Sequence, residues 1–142
     1  MKLKILIFDS DLGLRELLKA YLAGQGHEAL AFKDVTVCPL FRNLKDENCR
    51  CPQEQPCADA VLVDIRMPNI SAIDFLKLQQ RRGCKAIDAN KAVMSASMTK
   101  TLETAIEALG CHHIRKPFHL RDIKHWIEEC AARLVARQQA SS

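Results

Sequence analysis

Four polar residues follow apolar stretches of the chain in an order that suggests a shared site: Asp9, Asp64, Ser95 and Lys116. Two neighbouring carboxylates repel each other, and Mg²⁺ relieves the repulsion by binding one or two carboxylates, water and a phosphate oxygen. A carboxylate can also attack phosphorus, while a lysine and a hydroxyl stabilise the charge on the transferred group. These residue types therefore favour phosphoryl chemistry.

Apolar runs alternate with segments of helical spacing along the whole chain. Strands are predicted at 3–8, 28–32, 60–63, 92–95 and 111–114, and helices at 14–22, 71–82, 102–109 and 123–134. This alternation is typical of a doubly wound α/β fold with a parallel sheet. Because right-handed crossovers place every loop that follows a strand at one edge of the sheet, the four polar residues are expected to meet there.

Composition and length narrow the function classes. The 142 residues suit one domain, and 48% apolar and 27% charged residues with a net charge of +4 are typical of a soluble globular protein. No basic run is long enough for a nucleic-acid arm, and no apolar run is long enough for a membrane span or a signal peptide. We therefore expect a cytoplasmic protein with no direct nucleic-acid binding and no membrane insertion.

Short motifs at the predicted strand ends resemble the receiver domain of bacterial two-component response regulators. The matching pieces are IFDSD, LVDIRMPN, VMSAS and RKPF, and they extend over nearly the whole chain. The resemblance implies a flavodoxin-like, five-stranded parallel sheet of order 2-1-3-4-5. Residues 1–138 would form this domain, and 139–142 would be a frayed tail.

The resemblance also implies a metal site beside the phosphoacceptor. Asp64 would accept the phosphoryl group, Asp9 would help to hold Mg²⁺, and the backbone carbonyl of Arg66 would complete the site. Receivers usually carry a second acid immediately after the first, where this chain has Ser10, an uncharged and weaker ligand. Asp11 is a candidate to reach the metal through water.

Further roles follow from the same resemblance. Ser95 matches the hydroxyl residue that contacts the phosphoryl group, and Lys116 matches the lysine that precedes a cis-proline, here Pro117. His113 takes the switch position three residues before the lysine, which is commonly aromatic. A histidine there can respond to pH near neutrality, or it can be an ordinary histidine at the edge of the core.

By this resemblance the chain would be a signalling module and not an enzyme, apart from slow self-dephosphorylation. A sensor histidine kinase or a histidine phosphotransfer protein would donate the phosphoryl group to Asp64 in a phosphorelay. The signal would pass through a conformational change to an unknown downstream protein. No output domain follows the last predicted helix, so a stand-alone receiver is expected.

A cysteine- and proline-rich insertion at 38–58 departs from the family and would replace much of the second helix. Three roles remain open for its four cysteines, which are Cys38, Cys49, Cys51 and Cys57. They bind zinc or an iron–sulfur cluster, form a redox-active pair, or are plain free thiols. The other three cysteines lie in or beside apolar patterns and are predicted core residues: Cys84, Cys111 and Cys130.

Two further functions are weighed against the phosphoacceptor. In the first, a receiver-shaped scaffold has lost phosphorylation through Ser10 and senses metal or redox state through the insertion. In the second, FDSDLGL resembles the first motif of haloacid dehalogenase-type phosphatases, with Asp9 as nucleophile and Asp11 as acid and base. The phosphatase needs a late acidic pair, whereas the acids after Lys116 all fall on the last predicted helix.

Overall fold

The computed structural model describes residues 1–35 and 58–140, which form a parallel sheet with helices on both faces. The sheet order is β2-β1-β3-β4-β5, as the resemblance implies. The elements in chain order are β1 (Lys4–Phe8), α1 (Leu12–Gly24), β2 (Glu28–Phe32), β3 (Ala60–Asp64), α2 (Ala72–Arg81), a 3₁₀ turn (Asp88–Asn90), β4 (Lys91–Ser95), α3 (Lys100–Leu109), β5 (His112–Arg115) and α4 (Leu120–Ala140).

The sheet separates two hydrophobic cores. Every residue of β3 and β4 is buried, which explains why these strands are runs of mostly apolar residues instead of alternating patterns. Alternate strand residues pack against α1 and α4 on one face, around Ile7 and Trp126, and against α2 and α3 on the other, around Phe8 and Phe75. Cys130 is buried in the first core, as predicted, and Cys84 and Cys111 lie half-buried beside the second.

Local capping chemistry explains where the helices begin and end. The Ser71 side chain accepts a hydrogen bond from the backbone N–H of Asp74 at 3.1 Å, so α2 starts where the sequence pattern predicts. Helix α3 ends at Gly110, whose φ of 73° lies in the left-handed region that glycine adopts without strain. These signals could be read correctly because they depend on residues close in sequence.

The C-terminal helix is longer than the sequence pattern indicates. Helix α4 continues to Ala140, six residues beyond the end of the predicted helical spacing at Leu134. No glycine or proline interrupts this helix, and its last turn consists of good helix formers. No helix in the described ranges is both long enough and apolar enough to cross a membrane.

The predicted insertion, residues 38–58, lies outside the described residues except for Ala58, which is buried. Zinc, iron–sulfur and redox chemistry at its four cysteines therefore stay predictions.

Buried hydrogen bonds join three elements at the end of the sheet opposite the strand carboxyl termini. Asn90 is fully buried, and its amide nitrogen donates to the backbone carbonyls of Asp59 at 3.1 Å and Cys130 at 3.4 Å. Its amide oxygen accepts from Arg133 Nε at 2.6 Å, and Arg133 also donates to the carbonyl of Ala89 at 3.0 Å. Asn90 therefore connects the start of β3 and the start of β4 to α4.

We expect Asn90→Ala to lower the free energy of unfolding by about 2–3 kcal/mol, because it removes the amide donor to the carbonyls of Asp59 and Cys130 and the acceptor of Arg133 Nε. Urea unfolding followed by circular dichroism measures the change. Arg121→Ala, at an exposed position in the first turn of α4, is the control and should change stability by less than about 0.5 kcal/mol. Equal effects of the two substitutions would contradict a structural role for Asn90.

Candidate functional site

A lysine ammonium lies between two carboxylates at the carboxyl edge of the sheet. Lys116 Nζ is 2.9 Å from Asp9 Oδ2 and 3.2 Å from Asp64 Oδ1. Asp9 comes directly after β1, Asp64 ends β3, and Lys116 comes directly after β5. The predicted convergence is therefore observed for these three residues, which are far apart in sequence.

Burial and mutual repulsion set the electrostatics of the pair of acids. Asp9 is 0% and Asp64 8% exposed. Burial, followed by the charge of Asp9, raises the pKa of Asp64, while Lys116 and a hydrogen bond from the backbone of Arg66 partly offset the rise. For Lys116, burial alone would lower the pKa, but its bonds to the two carboxylates raise it overall. One ammonium thus faces two carboxylates, and the cluster keeps an excess negative charge.

The loop after β1 holds Asp9 firmly. Its Oδ1 accepts a hydrogen bond from the backbone N–H of Asp11 at 2.9 Å, and its own backbone N–H donates to the carbonyl of Phe32 at 3.0 Å. The Arg15 guanidinium, in the first turns of α1, donates to the Asp9 carbonyl at 2.8 Å. Asp9 is therefore positioned by main chain as well as by Lys116.

The two other predicted metal ligands, Asp11 and Ser10, lie in the loop between β1 and α1. Asp11 Oδ1 accepts from the backbone N–H of Leu14 at 3.2 Å, so this carboxylate caps α1. Ser10 is exposed and uncharged. Within the described ranges, no three His, Cys, Asp or Glu side chains cluster as metal ligands would.

The two carboxylates still fit a hard divalent cation. Both offer oxygen ligands, both are buried, and their charge is only partly balanced by Lys116. Mg²⁺ requires one or two carboxylates and fills its remaining positions with water and phosphate oxygens. The residues present are therefore compatible with Mg²⁺, with fewer charged ligands than a site with a second acid.

Ser95 and His113, the two predicted switch residues, lie on the neighbouring strands β4 and β5. Ser95 is 1% exposed at the end of β4, and its hydroxyl bonds to the main chain of Ser97. His113 on β5 is half-buried, and its Nε2 has no hydrogen-bond partner among the described residues. Burial, followed by the nearby Arg115, lowers the pKa of His113 despite the opposing charge of Glu103.

The Lys116–Pro117 peptide is cis, as the family resemblance implies.

Two contacts of the site have no clear signal in the sequence. Arg15 occupies a helix position that would suit any exposed cation, and Ser97 contributes only main-chain atoms. The cap by Asp11, in contrast, could have been found, because an acid directly before a helical pattern is a common N-cap.

Known proteins resemble this chain in sequence over most of its length. No family model matches the chain. The regulatory protein AtoC of Escherichia coli is 30% identical over 124 residues, which are 84% of this chain and 23% of AtoC. The DNA-binding response regulator MtrA of Mycobacterium tuberculosis is 26% identical over 129 residues, or 87% of this chain and 48% of MtrA. The chain thus spans less than half the length of these relatives.

Solved structures agree on the fold. The receiver domain of the Francisella response regulator 1452 superposes with a TM-score of 0.74 at 17% identity, covering 94% of this chain and 99% of that domain. The chain is therefore similar in sequence to response regulators over most of its length, and it has the fold of their receiver domains.

Proposed function

We propose that the chain accepts a phosphoryl group on Asp64 from a phosphohistidine of a sensor kinase or a phosphotransfer protein. The observation that carries the proposal is the ammonium of Lys116, held 3.2 Å from Asp64 Oδ1 by a second buried carboxylate, Asp9. A lysine in this place can bond to an oxygen of the group that Asp64 receives. The similarity to response regulators in sequence and to receiver domains in fold supports the same chemistry.

The transfer needs a nucleophile, a leaving group and charge stabilisation. A carboxylate oxygen of Asp64 attacks the phosphorus, the bond from phosphorus to the donor's imidazole nitrogen breaks, and the imidazole leaves with the electron pair and takes up a proton. Lys116 stabilises the charge on the transferred oxygens. Mg²⁺ held by Asp9, Asp64 and the carbonyl of Arg66 would supply further positive charge when bound.

The nucleophile is kept in an environment that disfavours its own charge. Burial and Asp9 both raise the pKa of Asp64, and Lys116 only partly compensates. A transferred phosphoryl group brings oxygens that Lys116 and Mg²⁺ can contact. Phosphorylation would therefore change which contacts are favourable at this edge of the sheet, which is the physical basis for a switch between two states.

Incubation with acetyl phosphate and Mg²⁺ should add one phosphoryl group, detected by intact mass. Asp64→Asn should abolish the adduct, because it removes the nucleophile, and Asp9→Asn should slow its formation by about tenfold or more. Asp74→Asn, an exposed acid in the first turn of α2, is the matched control and should behave as the wild type. An adduct that persists in Asp64→Asn would contradict the assignment.

Ser10→Asp should raise the affinity for Mg²⁺ by about tenfold or more, because a carboxylate next to Asp9 adds a charged ligand. Isothermal titration calorimetry measures the affinity without any phosphoryl transfer. Asp11→Asn is the control, since asparagine also caps a helix and should leave Mg²⁺ binding unchanged. A loss of binding in Asp11→Asn would instead identify Asp11 as a ligand.

Asp64→Asn should stabilise the resting protein at neutral pH. The raised pKa of Asp64 means that the folded state binds the proton more tightly than the unfolded state. The free energy of unfolding of the wild type therefore falls as pH rises from the ordinary carboxyl pKa through the raised folded value. Asparagine cannot ionise, yet it keeps an oxygen that accepts from Lys116.

Urea unfolding at a series of pH values tests this expectation. Above that pH window, the free energy of unfolding of the variant should be larger than that of the wild type. Below the window, the difference between the two proteins should shrink. A wild type that is the more stable protein at neutral pH would show that the attraction of Lys116 outweighs burial and repulsion.

A further inference from the structure

A cavity of about 300 Å³ lies between the end of α1 and the middle of α4. Small-molecule sites in proteins occupy about 300–1,000 Å³, so this space suits a ligand of the size of an amino acid. Its lining includes His27, which comes directly before β2 and bonds to Leu3, directly before β1. The cavity therefore lies towards the amino ends of the strands, away from Asp64.

Buried apolar side chains line part of the cavity. Leu22 of α1 is 0% exposed and Ile127 of α4 is 2% exposed. Ala131, one turn after Ile127, also lines the cavity and packs against the core on this face of the sheet. Because alanine ends at its Cβ atom, this position leaves space that a larger side chain would fill. An aliphatic group of a ligand would be stabilised here by leaving water.

Two opposite charges line the same cavity. Lys124 and Glu128 are both exposed and lie four residues apart on α4, so they are neighbours on the surface of this helix. Ion pairs on α4 join Glu129 to His125 at 3.0 Å and to Arg133 at 4.0 Å. Within the described ranges, in contrast, neither Lys124 nor Glu128 has a charged partner. Both charges are therefore available to a ligand.

His27 adds a hydrogen-bond donor of fixed orientation. Its Nδ1 accepts from the backbone N–H of Leu3 at 3.0 Å, so the proton of the neutral imidazole is on Nε2. Burial, followed by the charge of the nearby N-terminal amine, lowers the pKa of His27 and keeps the ring neutral at neutral pH. The ring can thus donate to a carboxylate without adding a third charged side chain to the cavity.

We propose that this cavity binds an α-amino acid with an aliphatic side chain, such as leucine, in its zwitterionic form. The carboxylate of the ligand bonds to Lys124 and to His27 Nε2–H, its ammonium bonds to Glu128, and its side chain contacts the buried apolar residues. A free α-amino acid carries both charges on one carbon atom, which suits a lysine and a glutamate that are neighbours on one helix. A peptide, in contrast, separates its terminal charges.

The site would act without any phosphoryl group. None of its residues contacts Asp9, Asp64 or Lys116 in the bonds described above, so the proposal goes beyond the phosphoacceptor function and does not depend on it. Leu22 and Ile127 come together only in the folded chain, and a ligand between them would therefore stabilise the folded state. The chain would bind a small metabolite at the end of the sheet opposite the carboxylates.

Titration of the full chain with L-leucine, followed by amide chemical shifts in nuclear magnetic resonance, tests the site. Saturable shifts are expected for the amides of His27 and Ala131. Leucine should bind about tenfold or more tightly than three analogues that each lack one part of it. These are 4-methylpentanoate, which lacks the ammonium, 3-methylbutan-1-amine, which lacks the carboxylate, and glycine, which lacks the side chain.

Lys124→Met and Glu128→Gln should each weaken leucine binding by about tenfold or more, because each removes one charge at nearly constant size. Lys100→Met and Glu107→Gln, which change exposed charges on α3, are the matched controls and should bind leucine as the wild type does.

Ala131→Leu should abolish binding by filling the cavity, whereas Ala132→Leu, at the exposed neighbouring position, should leave it unchanged. Circular dichroism checks that each variant folds. If Ala131→Leu does not fold, the variants at the exposed Lys124 and Glu128 still decide the outcome.

Lack of saturable shifts up to the solubility limit of leucine would refute the site. Equal binding of leucine and 4-methylpentanoate, or undiminished binding in Glu128→Gln, would refute a zwitterionic ligand. Wild-type binding in a folded Ala131→Leu would show that leucine does not occupy this cavity, and it would overturn the proposal.

Discussion

The ion pairs that join Lys116 to Asp9 and Asp64 are the constraint on which the rest of the site depends. Two buried carboxylates at adjacent strand ends would repel each other strongly in a medium of low dielectric constant. A single ammonium at 2.9 and 3.2 Å makes their proximity tolerable without cancelling both charges. The same arrangement that allows the site to fold therefore leaves it with an unmet demand for positive charge, which a cation such as Mg²⁺ can meet.

The fold supplies this geometry through its connections. Parallel strands that run in one direction place the residues after β1, β3 and β5 at a common edge, although they are up to 107 positions apart. Backbone bonds then fix each loop: Asp9 bonds to Phe32, Ile65 to Met94, and Lys116 to Ser95. The side chains that carry charge are thus held by main chain that is itself part of, or next to, the sheet.

Much of the fold, and the outline of the site, could be predicted from residues close in sequence. The buried strands are mainly apolar runs, Ser71 and Gly110 are cap signals, and polar residues follow the strands that end at one edge. The contacts made by Arg15 and by the Ser97 main chain could not be predicted, because they depend on distances set only after folding. The extent of α4 was missed because good helix formers near a chain end look the same whether ordered or frayed.

The two ends of the sheet use buried polar groups in opposite ways. At the amino end, Asn90 is bonded through both of its amide atoms to other parts of the chain, which joins β3, β4 and α4 there. At the carboxyl end, Lys116 and the Ser95 hydroxyl donate to oxygens, and the oxygens of a phosphoryl group on Asp64 would also accept from such donors under the proposed function. Exchange of such bonds costs little, because each donor passes from one oxygen to another. Under the proposed phosphorylation of Asp64, contacts would therefore change at one end of the molecule, while the Asn90 network and the two cores would keep the fold intact.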